Sequence, residues 1–152
     1  MAGSIICGVD DSVSAKRAAR VARRLSGELG LRLVFVRAVE PGSPDEKISA
    51  IAERLQHLTE GCPDVDCGAG WIVEIGHPVD RLVAAAADED ARFIVVGAQG
   101  PRSSLVGSVS AQVSRHASCP VVVVPPGADE PSHDDHGDVD FAGGLARFDA
   151  RG

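Results

Sequence analysis

Short, nearly unbroken apolar runs recur along the chain, and between them apolar residues return every three or four positions. The runs are Ile5-Ile6-Cys7-Gly8-Val9, Leu31 to Val39, Trp71 to Ile75, Phe93 to Val96 and Val121 to Val124. Their length and β-branched content predict strands covered on both faces. The intervening stretches read as helices. Ala15, Ala18, Ala19, Ala22, Leu25 and Leu29 share one helical face, and Ile48, Ile51, Ala52, Leu55 and Leu58 share another. Val79, Leu82, Val83, Ala86 and Ala87 form a third such face, and Val109 with Val113 marks a fourth helix. Asp11 or Ser12 is placed to cap the first helix, Gly30 to close it, and Pro78 to open the third at the position where its missing N–H costs nothing.

The resulting order is β-α-β-α-β-α-β-α-β. Strands alternating with helices predict an α/β fold: a doubly wound, five-stranded parallel sheet with right-handed crossovers and helices on both faces. Such a sheet takes ligands beyond the carboxyl ends of its strands, where the strand order reverses. The periodic part predicts one folded domain over residues 1–127. Residues 128–152 keep no period and are rich in Asp, Gly and His, so they read as a disordered acidic tail.

Charge sharpens that division. The net charge is −7, yet residues 128–152 hold seven acidic and two basic side chains, which leaves the first 127 residues nearly neutral. Neither part has the dense basic face that non-specific nucleic-acid binding needs, so no nucleic-acid partner is expected. Lys16, Arg17, Arg20, Arg23 and Arg24 read as a solvated helix face. No apolar run approaches the ~20 residues of a membrane span, so no membrane partner is expected. Met1-Ala2-Gly3-Ser4 lacks a signal-peptide n-region, and the expected location is cytoplasmic. Aromatic residues are 3% of the chain, so the core must be built from Val, Ile, Leu and Ala. Among the four cysteines, Cys7 and Cys119 read as small buried hydrophobes; Cys62 and Cys67 flank a polar turn without a CxxC spacing.

Candidate chemistry concentrates behind the fourth strand. Gly97-x2-Gly100-x6-Gly107-Ser108 lies between a buried strand and a helix. Successive backbone N–H groups in such a turn can form an anion nest, and the helix N-terminus adds roughly half a positive charge. On spacing alone, a phosphate cradle and a ligand-free Gly/Ser loop fit equally. Asp10, ending the first strand, is placed either to accept hydrogen bonds from a ribose or base amine or to start the helix. His77 falls in a turn at the carboxyl end of the third strand and reads as a helix cap. No GxxxxGK[ST] motif occurs, the two lysines are Lys16 and Lys47, and no G-x-S-x-G elbow is present. No nucleophile–base pair is evident, so the chain is not expected to be an enzyme, with slow ATP hydrolysis left open. A phospho-acceptor receiver domain shares the acidic pair Asp10-Asp11, but its lysine after a late strand has no counterpart beyond Lys47.

Taken in order, these motifs resemble the universal stress protein family. The likeness rests on Ile5 to Ser12, Val34-Phe35-Val36-Arg37-Ala38-Val39, Gly76-His77-Pro78, Ile94 to Gly100, Leu105 to Ser110 and Ala117 to Val124. It implies strand order 3-2-1-4-5 and an adenine nucleotide, ATP or a shorter relative with or without Mg2+, bound in a stress-response regulator. It implies that Gly97, Gly100, Gly107 and Ser108 hold ribose and phosphates, with Val109 following them. Asp10 matches the family's carboxylate, Gly8 and Val9 line the adenine slot, and the backbone of Ala38 meets the adenine edge. It also implies a homodimer that pairs the last strands, Val121 to Val124, antiparallel. Nucleotide-binding members carry G-x2-G-x9-G-[ST], whereas here six residues separate Gly100 from Gly107. That departure implies a shallower pocket, a shorter phosphate chain, or the alternative of a protein–protein interaction module that binds no nucleotide.

Overall fold

The computed structural model describes residues 3–62, 68–98 and 108–126. Nine elements alternate along it: β1 (Ser4–Gly8), α1 (Val13–Leu29), β2 (Arg32–Val39), α2 (Asp45–Glu60), β3 (Ala69–Ile75), α3 (Pro78–Asp88), β4 (Ala91–Gly97), α4 (Ser108–His116) and β5 (Val121–Val124). The strands form one parallel sheet in the order β3-β2-β1-β4-β5. This is the expected doubly wound α/β arrangement. The tail beyond Gly127, with the division it suggested, and Cys67 lie outside the described residues.

Alternate residues of each central strand serve opposite faces, and both faces are covered. Ile5, Cys7, Leu33, Phe35 and Val95 pack with the alanines of α1 and with Ile51 and Leu55 of α2. Ile6, Val34, Val36, Ile94 and Val96 pack with Val79, Leu82 and Ala86 of α3 and Val113 of α4. Burial on both sides explains why these strands read as continuous apolar runs instead of alternating ones.

Helix α1 buries a stripe of small residues, Ser14, Ala15, Ala18, Ala19, Ala22 and Ser26. Short side chains let the helix axis lie close to the sheet. Its ends follow the sequence signals: the Ser12 hydroxyl accepts from Ala15 N–H at 3.1 Å, and Gly30 adopts the left-handed conformation with φ 67°. Leu29, expected on the apolar face, is 51% exposed. The inward position near this end belongs to Ser26, whose hydroxyl donates to the Leu31 carbonyl at 2.7 Å. Helix α2 rests on the outer part of the sheet, where Trp71 Nε1 donates to Gln56 at 2.8 Å. Strands β3 and β4 each begin two residues before their apolar runs, because pairing with the neighbouring strand fixes Ala69, Gly70 and Ala91 irrespective of their hydropathy.

Candidate functional site

The strand order reverses at β1, which has β2 on one side and β4 on the other. Beyond the carboxyl ends of these three strands lies a cleft of about 140 Å3. An apolar cavity of about 150 Å3 is large enough to take a single aromatic ring. The cleft floor and walls come from six segments: Gly8, Val9 and Asp10 at and after the end of β1; Ser14 and Ala15 of α1; Val36, Arg37 and Ala38 of β2; Pro78 and Leu82 of α3; Val96 and Gly97 of β4; and Val109 and Ser110 of α4.

Local hydrogen bonds fix this mouth. Val9 N–H donates to the Val36 carbonyl at 3.0 Å, which carries the β1–β2 ladder one residue beyond β1. Asp10 then turns outward, and its Oδ1 accepts from Ser12 N–H at 2.8 Å. The Ser12 and Ser14 hydroxyls lie 3.0 Å apart. The chain therefore enters α1 through a connected run of short polar side chains. On the far wall, His77 caps α3 as expected, with Nδ1 accepting from Val79 N–H at 3.3 Å. That bond assigns its ring proton to Nε2. The cap sets Pro78 and Leu82 against the cleft.

Six of the nine residues singled out from the sequence, Gly8, Val9, Asp10, Ala38, Gly97 and Val109, converge on this one cleft. Ser108 begins α4. Gly100 and Gly107 lie outside the described residues. Sequence reasoning missed Ser14, Ala15, Val36, Arg37, Pro78, Leu82, Val96 and Ser110 as lining residues. Arg37, Val96 and Ser110 adjoin a residue already chosen, so for these three proximity along the chain was the available signal. Ser14 had none, because only the tertiary approach of α1 to β4 brings it there.

That approach is close. A Cβ placed on Gly97 would sit 2.4 Å from the Ser14 carbonyl oxygen and 2.6 Å from its carbon. Gly97 does not take a positive φ. Glycine at 97 is therefore required by the backbone of α1 crossing above it, a packing reason distinct from the phosphate approach that its spacing suggested. Gly8 is less tightly enclosed: its Cβ would lie 3.1 Å from both terminal methyls of Leu82.

The charged groups at the rim divide. Asp10 lines the cleft, whereas its neighbour Asp11 pairs with Arg54 of α2 and, at 3.6 Å, with Arg37 of β2. The hydrogen bond from Arg54 is the main reason the Asp11 carboxyl titrates below its ordinary value, with the charge of Arg37 adding to it. Among the described lining residues, Asp10 and Arg37 are charged. Among the described residues, no three His, Cys, Asp or Glu side chains gather as a metal site. Cys62 is a free thiol that donates to the Leu58 carbonyl at 3.4 Å. Cys7 is fully buried, as expected, while Cys119 is only partly covered. Burial raises all three thiols above the ordinary cysteine range.

A parallel doubly wound sheet with a cleft at its switch point defines a class of α/β domains. The chain belongs to the universal stress protein family: the family's model matches residues 1–125. Universal stress protein Rv2624c of Mycobacterium tuberculosis is 34% identical over 140 residues, which cover 86% of this chain and 51% of that protein. This chain thus spans about half the length of that relative. A universal stress protein of Thermus aquaticus, from the QAH/OAS sulfhydrylase 3′ region, is 33% identical over 137 residues, covering 80% of this chain and 97% of its own length. Among solved structures, a universal stress protein from Archaeoglobus fulgidus in complex with dAMP superposes with TM-score 0.65 at 26% identity, covering 80% of this chain and 97% of that one. A universal stress protein in complex with cAMP matches with TM-score 0.64 at 25% identity, covering 80% and 96%. Among the described residues, no helix is long and apolar enough to cross a membrane.

Proposed function

We propose that this chain is a stress-response regulator that binds an adenine nucleotide with a short phosphate chain in the cleft at the β1/β4 switch point. One observation carries the reading: six of the residues singled out from the sequence meet around a cavity sized for one ring system, with Asp10 at its rim. The base enters between Gly8, Val9 and the backbone of Ala38. Asp10 accepts from the ribose or the base amine. Gly97, Gly100, Gly107, Ser108 and Val109 surround the phosphate, helped by the start of α4. The dAMP and cAMP complexes of similar proteins support a nucleotide ligand.

The glycine spacing favours one phosphate over three. The spacing between Gly100 and Gly107 is three residues shorter than in the family's nucleotide-binding pattern. Among the described lining residues Asp10 is the carboxylate that could face a Mg2+ ion carried in on the nucleotide's phosphates.

The reading assigns no catalytic role to any residue. It places the protein in the cytoplasm, the folded unit in residues 1–127 and the acidic tail in 128–152. It pairs two copies antiparallel along Val121 to Val124, since β5 is an outer strand of the sheet. Equilibrium sedimentation checks that pairing; a monomer at micromolar concentration rejects it.

Calorimetric titration with AMP, cAMP, ADP and ATP tests the ligand. The expected result is binding of the monophosphates, with ATP weaker. A ligand at 100-fold excess over its Kd stabilises the fold by about 2.7 kcal/mol, which raises Tm by several degrees. Asp10→Ala should weaken binding about tenfold, the loss of one hydrogen bond to a charged group. No heat and no Tm shift with any of the four nucleotides would reject the site.

A further inference from the structure

Among the described residues, Ser4, Ser14, Ser26 and Ser110 are buried. Two of them have plain structural duties: Ser4 donates to the Glu89 carbonyl and Ser26 to the Leu31 carbonyl, each at 2.7 Å. Ser14 differs. It is 8% exposed, it lines the cleft, and its Oγ faces the Oγ of Ser12 at 3.0 Å.

A hydroxyl has one proton and two acceptor positions, and burying it unpaired costs free energy. The Ser12 oxygen is fixed by the helix cap, since it accepts from Ala15 N–H at 3.1 Å. Contact with Ser12 takes one position of Ser14. If Ser12 donates, Ser14 has its own proton to offer; if Ser14 donates, it has lone pairs to offer. Either way it can pair with an alcohol entering the cleft, because an alcohol both donates and accepts.

Ser14 is held from two sides. Its Cβ lies 2.9 Å from the place a Cβ on Gly97 would take, so it abuts the end of β4. Through Ser12 it is joined to Asp10, whose Oδ1 accepts from Ser12 N–H at 2.8 Å. Ser14 therefore stands between the carboxylate after β1 and the glycine that ends β4.

We propose that Ser14 and Asp10 together read the two hydroxyls of a ribose, which makes the cleft selective for ribonucleotides over deoxynucleotides. The inference rests on the nucleotide reading above and commits Asp10 to the sugar instead of the base amine. A sugar joins base to phosphate, so it lies between the slot at Gly8, Val9 and Ala38 and the glycines behind β4. Ser14 and Asp10 are the polar side chains that the β1–α1 wall turns to the cleft there. An ionised carboxylate only accepts, and it takes one sugar hydroxyl as a donor. Ser14 takes the other in either sense. A sugar without that hydroxyl leaves the Ser14 group buried and short of a partner, which is the usual source of discrimination against a missing hydroxyl.

Calorimetric titration of the full chain with AMP, 2′-deoxy-AMP and 3′-deoxy-AMP tests this. The wild type should bind each deoxy analogue about five- to tenfold more weakly than AMP, the loss of one hydrogen bond. Ser14→Ala should erase the penalty for one analogue and keep it for the other, and Asp10→Ala should do the reverse. A merely structural role gives no such crossed pattern, because a loosened helix weakens all three ligands by the same factor. Far-UV circular dichroism and Tm without nucleotide confirm that the variants fold, and the wild-type comparison needs no variant. Equal affinity of the wild type for all three nucleotides would overturn the proposal while leaving the nucleotide site in place. So would a uniform loss for all three in Ser14→Ala. Binding of none of them would overturn the nucleotide reading and this inference together.

Discussion

Gly97 shows how one missing side chain fixes the distance between two layers. The carbonyl group of Ser14 occupies the space that a Cβ at 97 would need, and that obstacle is backbone, not the end of a flexible side chain. Relief requires α1 to shift away from β4, which would loosen Ala15, Ala18 and Ala19 against the sheet. Gly97→Ala should therefore destabilise the fold by about 1–3 kcal/mol, the usual range for overpacking. Urea titration of the variant measures this directly; an unchanged midpoint would mean that α1 yields at no cost.

Helix α1 is held by a cap at each end, and the first of them borders the cleft. The Ser12 hydroxyl holds the first turn, and that turn carries Ser14 and Ala15 of the cleft. Ser12→Ala should cost about 1 kcal/mol. Gly30 at the other end has φ 67°, with open space around the missing Cβ. Gly30→Ala therefore tests backbone conformation without a steric clash and should also cost about 1 kcal/mol. Thermal unfolding of the two single variants and the double variant checks both values. The sites are far apart on one helix, so the losses should add. Helix α2 is held differently. Its buried anchors are Ile51 and Leu55, supplemented by Arg54 on Asp11 and Gln56 on Trp71.

At the scale of the whole molecule, Asp11 ties three elements: the β1–α1 turn, Arg37 of β2 and Arg54 of α2. The Arg54 hydrogen bond and the nearby cations lower its folded pKa, so ionised Asp11 favours the folded state. Its contribution is complete above the ordinary value of 3.8 and is lost as pH falls through the lower, folded value. The side chain is 62% exposed, so screening limits the contribution to about 0.2–1 kcal/mol. Asp11→Asn should lower stability at neutral pH by that amount and reduce the fall in stability below about pH 4. Denaturant midpoints between about pH 7 and pH 3, for variant and wild type, test the sign. A variant whose acid-induced loss matches the wild type's would show that the tie carries no free energy.

How much of this was readable in advance follows from the range of each interaction. The strands and helices were legible because a parallel sheet covered on both faces leaves apolar runs, and amphipathic helices leave a period. The caps at Ser12, Gly30 and His77 were legible because each acts on backbone groups within a few residues. The ends of β3 and β4 were not, since they depend on partners distant in sequence. The strand order and the adenine reading came with the family likeness, not from periodicity.

The sequence by itself determined the alternation of elements, the local caps and the clustering of glycine behind β4, because these depend on neighbours along the chain. Only the tertiary structure decided that Gly97 must be glycine to pass under Ser14, that Asp10 faces the cleft while Asp11 faces two arginines, and that Leu29 stays exposed. Each of those facts depends on the separation and rotation of packed elements. Hydrophobic pattern specifies which face is buried, not how closely two faces approach.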